Sequence, residues 1–267
     1  MEAFGAWQLQ SLIAVGGLGE VWRATRGDEV RAVKRLHTHL ARNEDATAQF
    51  AVEQRLATTL PRHPGVVHGV EAGAIDGRPY LALEIAPGAD LRRIVTPPAT
   101  PTQAAGPTVI LPRARALAIV AAASEAVAHL HAHGWIHGDV NPGNLVVDDD
   151  DHVTLIDLGV ARASGEAGAV RGTHAYMAPE QVRGEAWTPA TDVFALGVVL
   201  WELASGTRLF HRGPPWLTLA AVVESPVPPL REPALDAVAQ RALAKDPAQR
   251  LASAAELAQQ LRACASG

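Results

Sequence analysis

The first third of the chain places short apolar segments between turn residues, a pattern that predicts β-strands with one helix. Segments 7–14 and 20–25 flank a cluster of glycines, as the two strands of a hairpin would. Segment 30–35 predicts a short third strand. Together these segments predict a β-rich unit at the N-terminal end of the chain.

A helix and two further strands complete this predicted unit. Segment 45–60 has helical composition, and Pro61 ends it because proline cannot continue a helix. Strands Gly69–Ile75 and Arg78–Leu83 follow, joined by an Asp-Gly pair that favours a tight turn. Segment 86–88 then predicts a hinge, after which the composition changes.

Helical patterns dominate the remaining two thirds. Residues 96–111 are rich in proline, threonine and alanine, and they predict an exposed insert. A hairpin is predicted through the acidic turn at 148–151, which we interpret as a solvated turn rather than a metal site. Helices are expected from Thr191 onward. A long core helix is predicted between Pro112 and Gly134, because its apolar residues recur at helical spacing: Leu117, Val120, Val127 and Leu130.

Length and composition fit one globular domain of two lobes. The chain has 267 residues, of which 48% are hydrophobic and 19% charged, so it can bury a sizeable core. The pattern indicates an α+β fold, with a small β-rich lobe at about 1–86 and a larger mainly helical lobe at about 87–267. The net charge of −5 argues against nucleic acid as a main partner. The single cysteine, Cys264, and the absence of a signal or membrane-spanning pattern predict a cytoplasmic location.

Two N-terminal motifs carry candidate phosphate chemistry. Gly16, Gly17 and Gly19 lie between two predicted strands, where glycine lets backbone N–H groups approach phosphates closely. A glycine-rich hairpin by itself is usually only a turn. Lys34 lies on the next strand and Glu53 on the helix after it, so the two can form an ion pair that aims the ammonium group at phosphates.

The stretch HGDVNPGN at 137–144 combines an acid with amides and contains no lysine or arginine. Asp139 could accept a hydroxyl proton, because a carboxylate is a suitable general base when the attacking group is held in place. Asn144, and Asp157 in the later segment IDLG, offer hard oxygen ligands that suit Mg²⁺. The sequence therefore predicts a loop for phosphoryl transfer.

Three motifs follow in order: MAPE at 177–180, Asp192 in TDVFALG, and Arg250 in KDPAQR. Taken singly, they predict a buried salt bridge and two caps. The complete ordered set, over about 7–261, resembles the eukaryotic-type serine/threonine protein kinases that bacteria also carry. This resemblance implies a bilobal protein-kinase-like fold and transfer of the γ-phosphate of ATP, with Mg²⁺, to serine or threonine of a protein substrate. Glu180 and Arg250 match the family's buried ion pair.

The resemblance assigns roles to the remaining positions. Thr173 matches a threonine typical of serine/threonine kinases, and Leu83 matches the gatekeeper before the adenine-binding hinge. The implied magnesium ligands are Asn144 and Asp157. The implied catalytic residues are the base, the ion pair and two neighbours: Asp139, Lys34, Glu53, Asn141 and Thr173. The implied nucleotide site comprises the glycine loop, the strands beside it, the hinge and the magnesium ligands: Ala14, Val15, Gly16, Gly17, Gly19, Val21, Ala32, Lys34, Leu83, Glu84, Ala86, Asn144 and Asp157.

Three positions depart from the family pattern. Ala14 stands where a first glycine is usual, which predicts a modest effect on nucleotide affinity. Gly138 replaces an arginine that often pairs with a phosphorylated activation segment, so phosphorylation of that segment is not expected to be the main control. Asn141 replaces a lysine that faces the transferring phosphoryl group, and losing such a donor typically costs on the order of 10²–10³ in rate. Asn141 keeps a neutral donor, and Arg171 is the nearest cation in sequence that could swing in.

These departures leave two alternatives beside a slow or specialised protein kinase. The first is a pseudokinase that binds nucleotide and acts as an interaction or allosteric module. The second is a small-molecule phosphotransferase, because the loop also resembles that of aminoglycoside- and choline-kinase-like enzymes. Those enzymes do not usually carry an Ala-Pro-Glu segment. Against the pseudokinase stand the retained key residues: Lys34, Glu53, Asp139, Asn144 and Asp157.

Overall fold

A computed structural model describes residues 2–96, 109–168 and 172–266. The chain divides into two compact units. The first is Met1–Ala86 with Asp157–Val160, and the second is Pro87–Ile156 with Ala161–Gly267. The assignment of the whole chain to a single kinase domain stays a prediction. So does the exposure of the insert at 96–111, because 97–108 lie outside the described residues.

The first unit contains a six-stranded antiparallel sheet in the order β1-β2-β3-β4-β6-β5. The predicted strands and the predicted helix are confirmed, and β1 is an addition that the sequence did not indicate. The elements are β1 (Glu2–Phe4), β2 (Trp7–Val15), β3 (Gly19–Arg26), β4 (Glu29–Leu36), α1 (Glu44–Thr59), β5 (Gly69–Ile75) and β6 (Arg78–Leu83), with a 3₁₀ turn at Thr38–Leu40.

Helix α1 buries one face and thereby turns an acidic residue inward. The Asn43 side chain accepts the backbone N–H of Ala46 and caps the helix. Phe50 and Leu56 are buried, at 0% and 1% exposure. Glu53 lies one turn from each of them on the same face, since residues three or four apart are neighbours on a helix. Packing of the apolar residues therefore carries the Glu53 carboxylate into the interior of this unit.

The second unit is mainly helical, as predicted. Its helices are α2 (Leu91–Val95), α3 (Arg113–Ala132), α4 (Pro179–Val182), α5 (Pro189–Ser205), α6 (Pro215–Glu224), α7 (Pro233–Ala242) and α8 (Ala254–Ser266). Its short strands are β7 (Ala89–Asp90), β8 (Trp135–Ile136), β9 (Leu145–Val147), β10 (Val153–Leu155) and β11 (Arg162–Ala163). 3₁₀ turns lie at Pro142–Asn144, His174–Tyr176 and Pro247–Gln249. In the described part of the chain, no helix is long and apolar enough to cross a bilayer.

Helix α3 is the central helix of this unit and packs against α5 and α8. All of its apolar positions that the sequence singled out are buried: Leu117, Val120, Val127 and Leu130. The predicted hairpin is also confirmed, because β9 and β10 pair antiparallel. In its turn, the Asp148 carboxylate accepts the backbone N–H groups of Asp150 and His152. These two hydrogen bonds explain why an aspartate stands at position 148, because its side chain stabilises the turn.

Candidate active site

Lys34 lies in a buried cluster of charges within the first unit. Its Nζ donates to Glu53 Oε1 at 2.6 Å and to Asp157 Oδ1 at 2.7 Å. The Lys34 side chain is 10% exposed and that of Glu53 is 2% exposed. Burial lowers the pKa of Lys34, but the charges of Asp157 and Glu53 outweigh burial and raise this pKa above its usual value. The ammonium group is therefore fixed in place and charged at neutral pH.

Asp157 adopts a backbone conformation that non-glycine residues rarely take. Its φ is +62°, in the left-handed region, where a side chain costs energy unless the surroundings hold it. Gln49 on α1 donates to Gly159 O at 2.6 Å and so helps to hold this segment. The Asp157 side chain is 45% exposed, so a ligand can reach the carboxylate.

The glycine loop closes as a tight turn between β2 and β3. Gly16 N–H donates to Gly19 O at 2.8 Å. A Cβ at Gly19 would overlap the Arg35 carbonyl on β4, so strand packing alone requires glycine there. At Gly17 no atom lies within 4 Å of an added Cβ, and this residue faces open space. At Gly16 an added Cβ would meet only Gly19 O, at 3.7 Å, so neither Gly16 nor Gly17 has a packing reason of this kind to be glycine.

The other predicted nucleotide-site residues of the first unit lie along its sheet. Val21 on β3 is opposite Lys34 on β4, and Ala32 on β4 is opposite Leu83 on β6. Glu84 follows β6; its N–H donates to a backbone carbonyl, and its carboxylate pairs with an exposed arginine. The remaining positions are at the end of β2 and at the end of the unit's main segment: Ala14, Val15 and Ala86.

The stretch 137–144 forms a compact loop in the second unit, built around Asp139. Asn141 Nδ2 and Asn144 Nδ2 donate to the Asp139 carbonyl oxygen, at 2.9 and 2.8 Å. Asn144 Nδ2 is also 3.1 Å from Asp139 Oδ2, and Thr173 N–H donates to Asp139 Oδ1 at 2.8 Å. Four predicted site residues thus meet in one hydrogen-bond network.

The Asn141 amide is used inside the loop, which changes its expected role. It is 2% exposed, and its Oδ1 accepts Gly143 N–H and Arg92 Nη2, each at 2.9 Å. Because the amide is buried and its Nδ2 donates to the Asp139 carbonyl, it stabilises the loop itself, which differs from the expected role as a replacement donor. Arg92 on α2 is a cation at this loop that the sequence reasoning missed. Arg171, named from sequence proximity, lies outside the described residues.

Asp192 on α5 fixes the start of the loop. Its carboxylate accepts the backbone N–H groups of His137 and Gly138, each at 2.8 Å, and contacts His131 Nε2 at 2.8 Å. Burial alone would raise the pKa of this carboxyl, but the His131 hydrogen bond and the nearby charges hold the pKa below its usual value. The residues before Asp139 are therefore hydrogen-bonded to helix α5.

Gly138 is held in a conformation and a space that suit glycine alone. Its φ is +77°, and a Cβ there would overlap the ring of Trp187, which is 0% exposed. The Arg162 guanidinium stacks on the same ring, 4.0 Å from its centroid. Where the family pattern has an arginine, this chain has a buried indole packed against the loop.

We expect Gly138→Ala to lower the free energy of unfolding by about 2–4 kcal/mol, because backbone strain and overlap with Trp187 add. Gly134→Ala is the matched control. Gly134 has φ +78° and no atom within 4 Å of an added Cβ, so it carries the strain without the overlap. Urea denaturation of both variants measures the difference. Equal losses would show that Trp187 does not restrict position 138.

The predicted pair of Glu180 and Arg250 is present and buried. Arg250 Nη1 donates to Glu180 Oε1 at 2.6 Å, and Nη2 donates to Oε2 at 2.8 Å. The Arg250 side chain is 0% exposed and that of Glu180 is 2% exposed. Thr191 Oγ1 donates to the same carboxylate at 2.9 Å. This ion pair connects α4 to the C-terminal part of the second unit.

The family model described as "Protein kinase domain" matches residues 7–261. The chain belongs to this family. The predicted α+β, protein-kinase-like fold, with a β-rich lobe and a helical lobe, is thereby confirmed.

Several curated relatives of this protein kinase domain are serine/threonine-protein kinases of mycobacteria. PknB of Mycolicibacterium smegmatis is 37% identical over 270 residues, which are 94% of this chain and 41% of that protein. PknD of Mycobacterium tuberculosis is 34% identical over 273 residues, 96% of this chain and 39% of that protein. PknA of the same species is 33% identical over 279 residues, which are 98% of this chain and 62% of that protein. The chain therefore spans less than two thirds of the length of these relatives.

Proposed function

We propose that this chain is an ATP- and Mg²⁺-dependent protein kinase that phosphorylates serine or threonine. The observation that carries the proposal is Lys34, held between Glu53 and Asp157 at 2.6 and 2.7 Å. A buried, permanently charged ammonium at a fixed position is suited to bind nucleotide phosphates. The names of the mycobacterial relatives support the same activity and the choice of serine or threonine. The single cysteine, which has no internal partner, supports a location in the cytoplasm.

Asp139 is the proposed general base. Thr173 N–H and the Asn144 amide hold its carboxylate, so it can accept the proton of a serine or threonine hydroxyl without first reorienting. The oxygen of that hydroxyl forms a bond to the γ-phosphorus, and the bond from this phosphorus to the bridging oxygen of ADP breaks.

Asn144 and Asp157 each carry an oxygen atom of the kind that binds magnesium. The Asn144 Nδ2 group is committed to Asp139, so its amide oxygen is the atom that remains to bind a cation. Asp157 contributes a partly exposed carboxylate. Mg²⁺ prefers such oxygen ligands together with phosphate oxygens. When bound, Mg²⁺ would neutralise charge on the transferring phosphoryl group.

The test is transfer of label from γ-labelled ATP to a generic basic protein, with and without Mg²⁺. We expect labelled protein that yields phosphoserine or phosphothreonine on acid hydrolysis, and no label when EDTA removes the metal. If ATP raises the melting temperature but no label moves, the proposal fails and the chain is a nucleotide-binding module. If label reaches an aminoglycoside or small alcohol but no protein, it is a small-molecule phosphotransferase.

A further inference from the structure

Arg92 reaches the catalytic loop from a helix that the chain anchors tightly. Gly88, at φ +100°, lies so close to β9 that a Cβ would overlap the Val147 carbonyl. Strand β7 then pairs with β9, and the Asp90 side chain caps α2 by accepting Arg93 N–H at 3.0 Å. Because Gly88, β7 and the Asp90 cap fix the start of α2, the position of Arg92 is set by the fold.

The guanidinium of Arg92 fits a space that Asn141 and Gly143 leave for it. Its Nη2 donates to Asn141 Oδ1 at 2.9 Å, and Gly143 N–H donates to the same oxygen at 2.9 Å. A Cβ at Gly143 would lie 2.8 Å from Arg92 Nη2. Glycine at 143 has an ordinary negative-φ conformation and is not needed for backbone reasons. The absence of a side chain at 143 is therefore what admits Arg92.

The carboxylate that shares a cavity with Arg92 is already occupied by other donors. Arg92 lines a cavity together with Tyr176, Glu202 and Arg208. Among the described residues that line this cavity, Glu202 is the acid, and its carboxylate already accepts the Tyr176 hydroxyl at 2.7 Å, Arg208 Nε at 3.1 Å and Leu209 N–H at 3.0 Å. Arg92 therefore makes its hydrogen bond to Asn141 of the loop, while Glu202 is paired with other groups.

We propose that Arg92 is a positioning residue that supplies the positive charge this catalytic loop lacks. It acts through Asn141: the guanidinium fixes Asn141 Oδ1, and Asn141 Nδ2 in turn holds the carbonyl of Asp139. A hydrogen bond from a charged donor is stronger than one from a neutral donor, so the charge itself contributes. The proposal rests on the proposed kinase activity for its kinetic consequence, but not for its structural one.

The kinetic test compares variants of two neighbouring arginines on α2. We expect Arg92→Ala to lower kcat about tenfold, the effect of one lost charged hydrogen bond, with KM for ATP changed less than about twofold. Arg92→Lys should retain more activity than Arg92→Gln, because it keeps the charge. Arg93→Ala is the matched control, since Arg93 pairs with Asp90 and is exposed. Equal activity of Arg92→Lys and Arg92→Gln would overturn the role of charge.

A second comparison uses Gly143. We expect Gly143→Ala to displace the guanidinium from Asn141 while leaving the arginine in the chain. The double variant Arg92→Ala with Gly143→Ala should then be little worse than either single variant, because both remove one interaction. If the two losses multiply, Gly143 acts independently of Arg92 and the proposed coupling is wrong.

Amide hydrogen exchange separates this inference from the proposed function. We expect the backbone of 139–145 to exchange faster in Arg92→Ala than in wild type and in Arg93→Ala, with melting temperatures alike. This result would support the positioning role even if no phosphate transfer were found. The lack of transfer would contradict only the kinase proposal. Unchanged exchange at 139–145 would overturn the inference, whatever the activity of the chain.

Discussion

Asp139→Asn is expected to lower the rate of phosphate transfer by a factor on the order of 10³, the middle of the usual range for loss of a general base. Asparagine cannot accept the hydroxyl proton. It also introduces an N–H group where Asp139 Oδ2 now lies 3.1 Å from Asn144 Nδ2, so two donors would face each other or the amide would turn. The variant loses the base and disturbs the residue proposed to bind magnesium.

The measurement is the initial rate of label transfer from γ-labelled ATP, with the melting temperature recorded alongside. Asp149→Asn makes the same chemical change at an exposed carboxylate of the β9–β10 turn, and it should keep the wild-type rate. The fold should survive Asp139→Asn, because Asp192 holds the loop through backbone N–H groups. Transfer at or near the wild-type rate in Asp139→Asn would show that Asp139 is not the base.

Local sequence patterns were sufficient for most of the longer helices and strands and for several of the site residues. Strand β6 and helix α1 follow from residues that are close in the chain, and α1 also brings Glu53 to Lys34 because Glu53 shares a face with Phe50 and Leu56. The ordered motifs then located Asp139 and Asn144 without any knowledge of packing. Such features depend on periodicity and turn chemistry, which a single sequence displays.

The parts that the sequence did not reveal depend on contacts between distant residues. Arg92 is 49 positions from Asn141, and nothing in the sequence around either residue indicates their hydrogen bond. Trp187 lies against Gly138 only because the chain folds back there. The sequence therefore showed a missing arginine at 138, but not that the indole of Trp187 leaves room for glycine alone. Strand β1 was missed because a three-residue strand is too short to show a period.

Arg250→Met is expected to lower the free energy of unfolding by about 3–5 kcal/mol, the usual cost of removing one partner from a buried ion pair. The Glu180 carboxylate would remain buried at 2% exposure and lose two hydrogen bonds from the guanidinium. Arg250 also donates to the carbonyl oxygens of Ala190 and Ala244, so α5 would lose an anchor. Urea denaturation followed by circular dichroism measures the loss.

Arg241→Met is the matched control for this change. Arg241 pairs with Glu256 at 3.4 Å on the surface, with a side chain that is 52% exposed, so we expect a loss of about 0–1 kcal/mol. Adding Glu180→Leu to Arg250→Met should recover part of the stability, because no uncompensated buried charge then remains. A loss in Arg250→Met no larger than in Arg241→Met would contradict the argument, since it would mean that the Glu180 carboxylate finds water or another donor when the arginine is gone.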